Sequence, residues 1–429
     1  MANTNNIILV TIDSLRSDFL SICDEKLANL EKLANESFIF KNVYASAPAT
    51  KGAFASLFTS TYPSMYGGKI SIDEKRLTLA ELFEGAGWNT YGFHSNPHLS
   101  ELFNYNKGFK FFYDDLSKVE KVSNRRMLLV NKLKRVYKMQ AYMLADKLNK
   151  KVFDTLNLEE MKKGKNFVWI HYMDVHGPYY GRMRKIPLAK LFYEVRWRKA
   201  IKSRVNRRRT EKLKADYMYE LKYLDAYIGN LLDYLRKNNI YDQSTIVFLA
   251  DHGDGFGEHG FYSHPQKLYN ELIKIPLMIK FPKGFKKEID TNKLIGTIDI
   301  TPSLLSLSGI DAPEQLLGMD FISDNCNEYV FSEADIGKDT GEKMLSLVNS
   351  KWKYIFDTKT KIEELYNLVS DANESRNLAG DYPEIRMQMK HKLDEYRKIL
   401  TFDSSESYTQ QEENNDSEIQ ERLKTLGYM

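Results

Sequence analysis

The chain has 429 residues, 42% of them hydrophobic and 13% aromatic, enough to fill one large core and a smaller companion. No run approaches the ~18 uninterrupted apolar residues of a membrane helix, so no spanning segment is expected. The net charge of +4 is modest but uneven: residues 182–214 hold fourteen Lys/Arg against two Glu, while residues 403–421 hold seven acids and no base.

The N-terminal MANTNN lacks a basic stretch followed by an apolar one and does not read as a secretion signal. Residues 6–12 (NIILVTI) are apolar and β-branched and end at Asp13, the pattern of a buried parallel strand opening into a loop. Residues 27–33 follow helical spacing. Small and hydroxyl residues then lead to Thr50, and residues 52–59 again show helical spacing. A basic segment covers 132–151. FVWIH at 167–171 is a second strand run, followed by the basic stretch 182–214 and an amphipathic helix over 221–235. TIVFLA at 245–250 and PLMIKF at 276–281 are further strand runs.

Strands alternating with helices predict an α/β fold, a mostly parallel sheet sandwiched by helices. In such sheets ligands bind beyond the carboxyl ends of the strands, where Asp13, His171 and Asp251 fall. After about residue 325 the character changes. Residues 329–333, 344–349 and 352–356 read as short antiparallel strands and 383–400 as a helix. The division expected is therefore a catalytic domain over 1–325 and a small α+β subdomain over 326–429. Residues 403–418 read as a mobile acidic tail, and the closing LKTLGYM as a segment able to dock back. Only Cys23 and Cys326 are present, far apart, which favours a reducing compartment. The expected location is cytoplasmic, with a membrane face left open by the basic segments.

Residues 251–260 (DHGDGFGEHG) follow a strongly apolar strand and hold three acids and two histidines among glycines. Carboxylates and imidazoles on a loop without bulky neighbours suit a divalent metal. A polar surface loop is the alternative, and a second strand end carrying Asp13 favours the metal. Thr50, at a helix start, could meet an anion through the helix dipole and first-turn amides, or serve only as a cap.

Several segments together resemble the sulfatase branch of the alkaline phosphatase superfamily. They are NIILVTIDSLR (6–16), the LFTSTYPSMYG core of 50–67, FVWIHYMDVHGPY (167–179), TIVFLADHGDGFGEHG (245–260), LYNELIKIPL (268–277), IDITP (298–302), residues 363–378 and LKTLGYM. They span nearly the whole chain in the family's order. The resemblance implies an alkaline-phosphatase-like fold and one divalent metal (Ca, Mn, Mg or Zn) held by Asp13, Asp251, His252 and Thr50. It makes Thr50 the nucleophile, with His176 and His264 as substrate-side catalytic groups. Asn96, in HSNPHLS, falls in a substrate-contact loop.

The departures are equally specific. The family's cysteine or serine, oxidised to formylglycine, is here Thr50. Its accompanying arginine is Phe54, its second aspartate Ser14 and its lysine His264. A threonine nucleophile is similar to that of phosphodiesterase and phosphoglycerol-transferase relatives. The expected function is metal-dependent cleavage of a sulfate or phosphate ester. The alternatives are transfer of a phospho-substituent such as phosphoglycerol or phosphoethanolamine to a glycan or lipid-linked acceptor, and an inactive binding protein. An anionic ester substrate, glycan- or lipid-linked, is the partner implied.

The basic insert interleaves Phe192, Val195, Trp197 and Ile201 with Arg196, Arg198, Lys199, Lys202 and Arg204. It reads either as a surface for anionic lipid or as a solvated face whose apolar side packs on the body. No groove-reading motif points to nucleic acid.

Overall fold

The computed structural model describes residues 6–20, 27–65, 71–115, 142–181, 197, 199–335 and 342–401. The first half of the basic insert, the first half of the 132–151 segment, the acidic tail and LKTLGYM lie outside these residues.

A seven-stranded sheet forms the centre, in the order β2-β10-β7-β1-β6-β4-β5. These strands are β1 (Asn6–Ile12), β2 (Phe38–Phe40), β4 (Asn89–Phe93), β5 (Phe111–Tyr113), β6 (Asn166–Tyr172), β7 (Ser244–Ala250) and β10 (Leu277–Lys280), with β3 (Asn42–Tyr44) outside this sheet. Every residue of β1, β6 and β7 is buried. Helices covering both sheet faces explain why these strands read as continuous apolar runs rather than alternating ones. Each fully buried aliphatic here contributes about 1.5–3 kcal/mol. The two polar ends are matched: Asn166 Nδ2 donates to Asn6 Oδ1 at 2.8 Å, and Asn6 Nδ2 to the Met161 carbonyl at 2.9 Å.

β1 pairs in parallel with β6 on one side and β7 on the other. The pairing runs one residue past the strand ends, with Asp13 N donating to Tyr172 O at 2.9 Å. Three carboxyl-end loops therefore open side by side. β4 is also parallel to β6 and adds a fourth. The run at 276–281 departs from expectation: β10 is antiparallel to β7 and to β2. An apolar run reports burial on two faces, not direction.

Helix α1 (Ala28–Asn35) matches the expected element, and α2 (Thr50–Thr59) begins at Thr50 itself. The helix around 221–235 is longer than its apolar spacing suggests, spanning Arg207–Lys237. The last eight residues of the basic stretch are thus its opening turns. Asn206 caps it, its side chain accepting from Arg209 N.

Beyond residue 329 a four-stranded antiparallel sheet follows: β12 (Val330–Asp335), β13 (Lys343–Val348), β14 (Trp352–Asp357) and β15 (Glu363–Asn367). The helix Pro383–Thr401 packs on it, and Met389 and Leu393 join Leu345, Leu347 and Tyr354 in a second core. β12 leans on the segment that leads to Thr50: Glu333 N donates to Ser46 O at 2.9 Å and Ser332 Oγ to Ala45 O at 2.8 Å.

Candidate metal centre and active site

Four strand-end loops and one helix start converge. Asp13 follows β1, His94 to Asn96 follow β4, His176 lies beyond β6, and Asp251 with His252 follow β7; Thr50 opens α2. Asp13, Asp251 and His252 are 2% exposed or less. One donor atom from each of these three lies within 4.8 Å of the others. Thr50 Oγ1 is 3.2 Å from Asp13 Oδ2 and 3.4 Å from His252 Nε2. The residues placed together by sequence reasoning are together in space.

Local geometry explains the assembly. Ser14 takes a left-handed conformation, φ 59°, which is uncommon for a residue with a Cβ and turns the chain sharply after Asp13. Its hydroxyl donates to Asp13 Oδ1 at 2.8 Å and its amide to Asp251 Oδ1 at 3.1 Å. Gly253 is required by close approach, since a Cβ there would collide with the Glu271 carbonyl, and its amide donates to Leu272 O at 2.7 Å. His252 Nδ1 faces the Gly253 carbonyl at 2.8 Å. That carbonyl only accepts, so Nδ1 carries the proton and Nε2 turns its lone pair toward Thr50 and Asp13.

The electrostatics fit a cation. Burial first, then the Asp13 charge, pushes Asp251 well above the usual carboxylate range, and its Oδ2 has no hydrogen-bond partner. Burial, reinforced by His264, lowers His252 to about 3, which keeps the imidazole neutral and able to ligate. Two buried carboxylates side by side, one with an orphaned oxygen, beside a neutral imidazole and a hydroxyl, suit a hard to borderline divalent ion.

His264 and His176 sit beside this cluster. The His264 ring centroid is 4.8 Å from that of His252 and 5.4 Å from that of His176. His264 Nδ1 meets Asp254 Oδ1 at 3.2 Å. Burial opposes charge on His264, but the Asp254 hydrogen bond and charge outweigh it and raise its pKa. His176 is lowered, chiefly by burial. The pair is asymmetric, one ring favouring its charged form and the other its neutral form.

Asn96 lies against Asp13. Its Oδ1 accepts from His98 N at 2.9 Å, which fixes the amide's orientation, and its Nδ2 donates to Asp13 Oδ2 at 3.0 Å. As positioned, it supports Asp13. Phe54, at the position of the family's arginine, lies edge-on to His171 with centroids 4.8 Å apart and is fully buried.

Sequence reasoning left Asp254 and Arg16 without roles. Asp254 accepts from the Tyr179 hydroxyl as well as facing His264. Arg16 pairs with Asp18 at 2.6 Å and Glu258 at 2.8 Å and donates to the Asp254 carbonyl at 3.1 Å, tying the β1 loop to the 251–260 loop. A cation four residues past an apolar strand run was the available signal. Tyr217, whose hydroxyl donates to Ser14 O and accepts from Arg16 N, both at 3.0 Å, carried none.

Within the basic segment, Trp197, Ile201 and Val205 pack against the main core. A Cβ on Gly177 would collide with the Trp197 ring. The described apolar residues of the insert thus face the body.

Comparison with known proteins agrees with this architecture. Residues 5–310 match the family model described as Sulfatase, and residues 257–399 match N-sulphoglucosamine sulphohydrolase, C-terminal. The uncharacterized sulfatase YidJ of Escherichia coli (strain K12) is 22% identical over 409 residues, covering 86% of this chain and 81% of that protein. The phosphonate monoester hydrolase of Silicibacter pomeroyi superposes with a TM-score of 0.71 at 18% identity, over 95% of this chain and 98% of that one. A structure solved with its substrate D-glucosamine-2-N,6-O-disulfate superposes with a TM-score of 0.67 at 16% identity, over 94% of this chain and all of that one. With the family model spanning 306 of 429 residues, the chain belongs to the sulfatase family and is a hydrolase of sulfate or phosphate esters.

Proposed function

We propose that the chain cleaves an anionic, glycan-linked ester by a metal-dependent mechanism in which Thr50 is the nucleophile. The observation that carries this is the Thr50 hydroxyl, 3.2 Å from Asp13 and 3.4 Å from His252 at the first position of a ten-residue helix. Ala49, the N-cap, offers no side-chain acceptor. The first-turn amides therefore remain for the non-bridging oxygens of a sulfate or phosphate.

A divalent ion held by Asp13, Asp251, His252 and Thr50 would supply the charge that lowers the hydroxyl's pKa and neutralises the ester oxygens. Asp13 Oδ2 and His252 Nε2 orient Thr50. Its Oγ1, having given its proton to solvent at that lowered pKa, forms a bond to sulfur or phosphorus as the bond to the leaving oxygen breaks. His264, with Nδ1 held by Asp254, gives its Nε2 proton to that oxygen, and neutral His176 beside it orients the substrate. Water then cleaves the Thr50 ester and releases sulfate or phosphate.

Two features support a glycan-linked anion. One fold neighbour holds a sulfated glucosamine. In this chain Lys199, Lys202, Arg204, Arg207, Arg208 and Lys212 are exposed on a segment docked beside the site through Trp197 on Gly177 and Val205 on Gly257. Anionic lipid is the other partner this charge would suit.

The test strips the protein of metal and assays it on aryl sulfate, phosphate monoester, phosphodiester and phosphonate substrates, before and after adding Ca, Mg, Mn or Zn. Turnover that disappears with the metal and returns with it is expected. Undiminished turnover after stripping would refute the reading. A transferase shares the first half-reaction, and product formation that requires an added acceptor hydroxyl would move the assignment there.

A further inference from the structure

Beneath the cluster lies a line of polar atoms enclosed by aromatic rings. Trp169 Nε1 is 2.9 Å from Thr11 Oγ1, Thr11 Oγ1 is 3.0 Å from His171 Nδ1, and His171 Nε2 is 3.6 Å from Asp13 Oδ2. All four residues are fully buried. We infer that Trp169, Thr11 and His171 form a directional relay that presents an N–H to Asp13 and sets the carboxylate for metal binding. The inference rests on the metal-site reading of Asp13.

The direction follows from donor counting. An indole N–H can only donate, so Thr11 Oγ1 accepts from Trp169. The single hydroxyl proton then goes to His171 Nδ1 at 3.0 Å rather than to the Ile170 carbonyl at 3.5 Å. With Nδ1 accepting, the ring proton sits on Nε2. The far end requires the same tautomer, because a lone pair on Nε2 would face a carboxylate oxygen across 3.6 Å and repel it. Nε2 has no partner within hydrogen-bonding distance. A buried N–H without an acceptor is costly, so closing the gap to Asp13 is favourable. The ring cannot turn elsewhere. Phe54 meets it edge-on with centroids 4.8 Å apart, and Trp169 stacks at 6.1 Å with planes 26° apart.

Asp13 Oδ2 then has three donors around it: Asn96 Nδ2, Thr50 Oγ1 and His171 Nε2. Two come from other loops. The third comes from the floor of the sheet and is the one whose proton position is set by strand residues alone. His171 is a positioning residue, since it acts through Asp13. Outer partners of this kind are worth about 10–100-fold in metal affinity.

The experiment measures the dissociation constant of the best-bound cation for metal-stripped protein by calorimetry, in wild type, His171→Leu, His171→Gln and Thr11→Val. His171→Leu is expected to weaken binding by about 10–100-fold. Gln, whose amide N–H reaches the position of Nε2, is expected to stay within about threefold of wild type. Thr11→Val keeps the volume and fold but releases the tautomer, and should fall between them. Nitrogen NMR of the wild-type histidine should show an Nε2–H imidazole. Unchanged affinity in His171→Leu, Gln as weak as Leu, or an Nδ1–H tautomer would each overturn the relay while leaving the metal site standing. Wild type that binds none of the four cations would overturn both.

Discussion

Substituting Thr50 separates a nucleophile from a helix cap. Thr50→Ala removes Oγ1, which lies 3.2 Å from Asp13 Oδ2 and 3.4 Å from His252 Nε2. The structural cost is bounded. One hydrogen bond to an ionised group is worth about 1.5–3 kcal/mol, and better helix propensity offsets about 0.5 kcal/mol of it. The fold should survive. The catalytic cost is of another order, because removing a covalent nucleophile costs on the order of 10⁴–10⁶-fold in kcat. Thr50→Ser keeps the oxygen and loses one buried methyl, about 1 kcal/mol, plus the restriction on χ1 that β-branching imposes. Three rotamers in place of one account for about threefold in rate, so Ser should remain within about tenfold of wild type. The assay pairs initial rates with intact-mass measurement of quenched turnovers, where wild type and Ser should carry a sulfate or phosphate mass that Ala lacks. Ala turning over within tenfold of wild type would refute the nucleophile assignment, and so would a Ser variant as inactive as Ala.

Three further outcomes are expected. His264→Ala should lower kcat/KM by about 10²–10⁴-fold; Asp254→Asn, which keeps an acceptor but loses the charge on the ring, should lower it less, and steady-state kinetics showing the reverse order would remove Asp254 from its supporting role. Lys353 and Glu374 form an ion pair at 2.6 Å with both side chains fully buried, so Lys353→Met should cost about 3–5 kcal/mol in urea unfolding, and a midpoint unchanged from wild type would sink that estimate. His259 faces Glu271 Oε1 at 2.6 Å and the Glu374 carbonyl at 3.1 Å, both acceptors, so both ring nitrogens donate. Burial opposes this charge, but Glu271 outweighs it and the pKa is raised. The stabilisation is therefore complete below the unfolded histidine pKa and is lost as pH rises through the higher folded one. The melting temperature should fall between pH 6 and pH 9 more in wild type than in His259→Gln, and parallel profiles would contradict it.

Much of the site was legible along the chain because its residues terminate apolar runs. Asp13, Asp251 and His252 stand where buried strands end, and a parallel sheet brings such ends into one row. Thr50 was legible as a helix start. The departures at Phe54 and His264 were legible as substitutions, but their consequences were not. That Phe54 closes on His171, and that Asp254 turns toward His264, depends on side chains from separate loops meeting across the sheet.

The sequence by itself determined which segments are buried, where they end and which polar residues those ends carry, since burial and period are local properties of composition. The tertiary structure alone decided direction and partnership. It made β10 antiparallel where its apolar run resembled its neighbours', extended the Arg207–Lys237 helix into the basic stretch, and turned Trp197, Ile201 and Val205 inward. It also placed Asn96 on Asp13 and His171 beneath it. Hydrophobic burial is satisfied by either strand direction, whereas a hydrogen bond between loops more than eighty residues apart exists only once the sheet has set their separation.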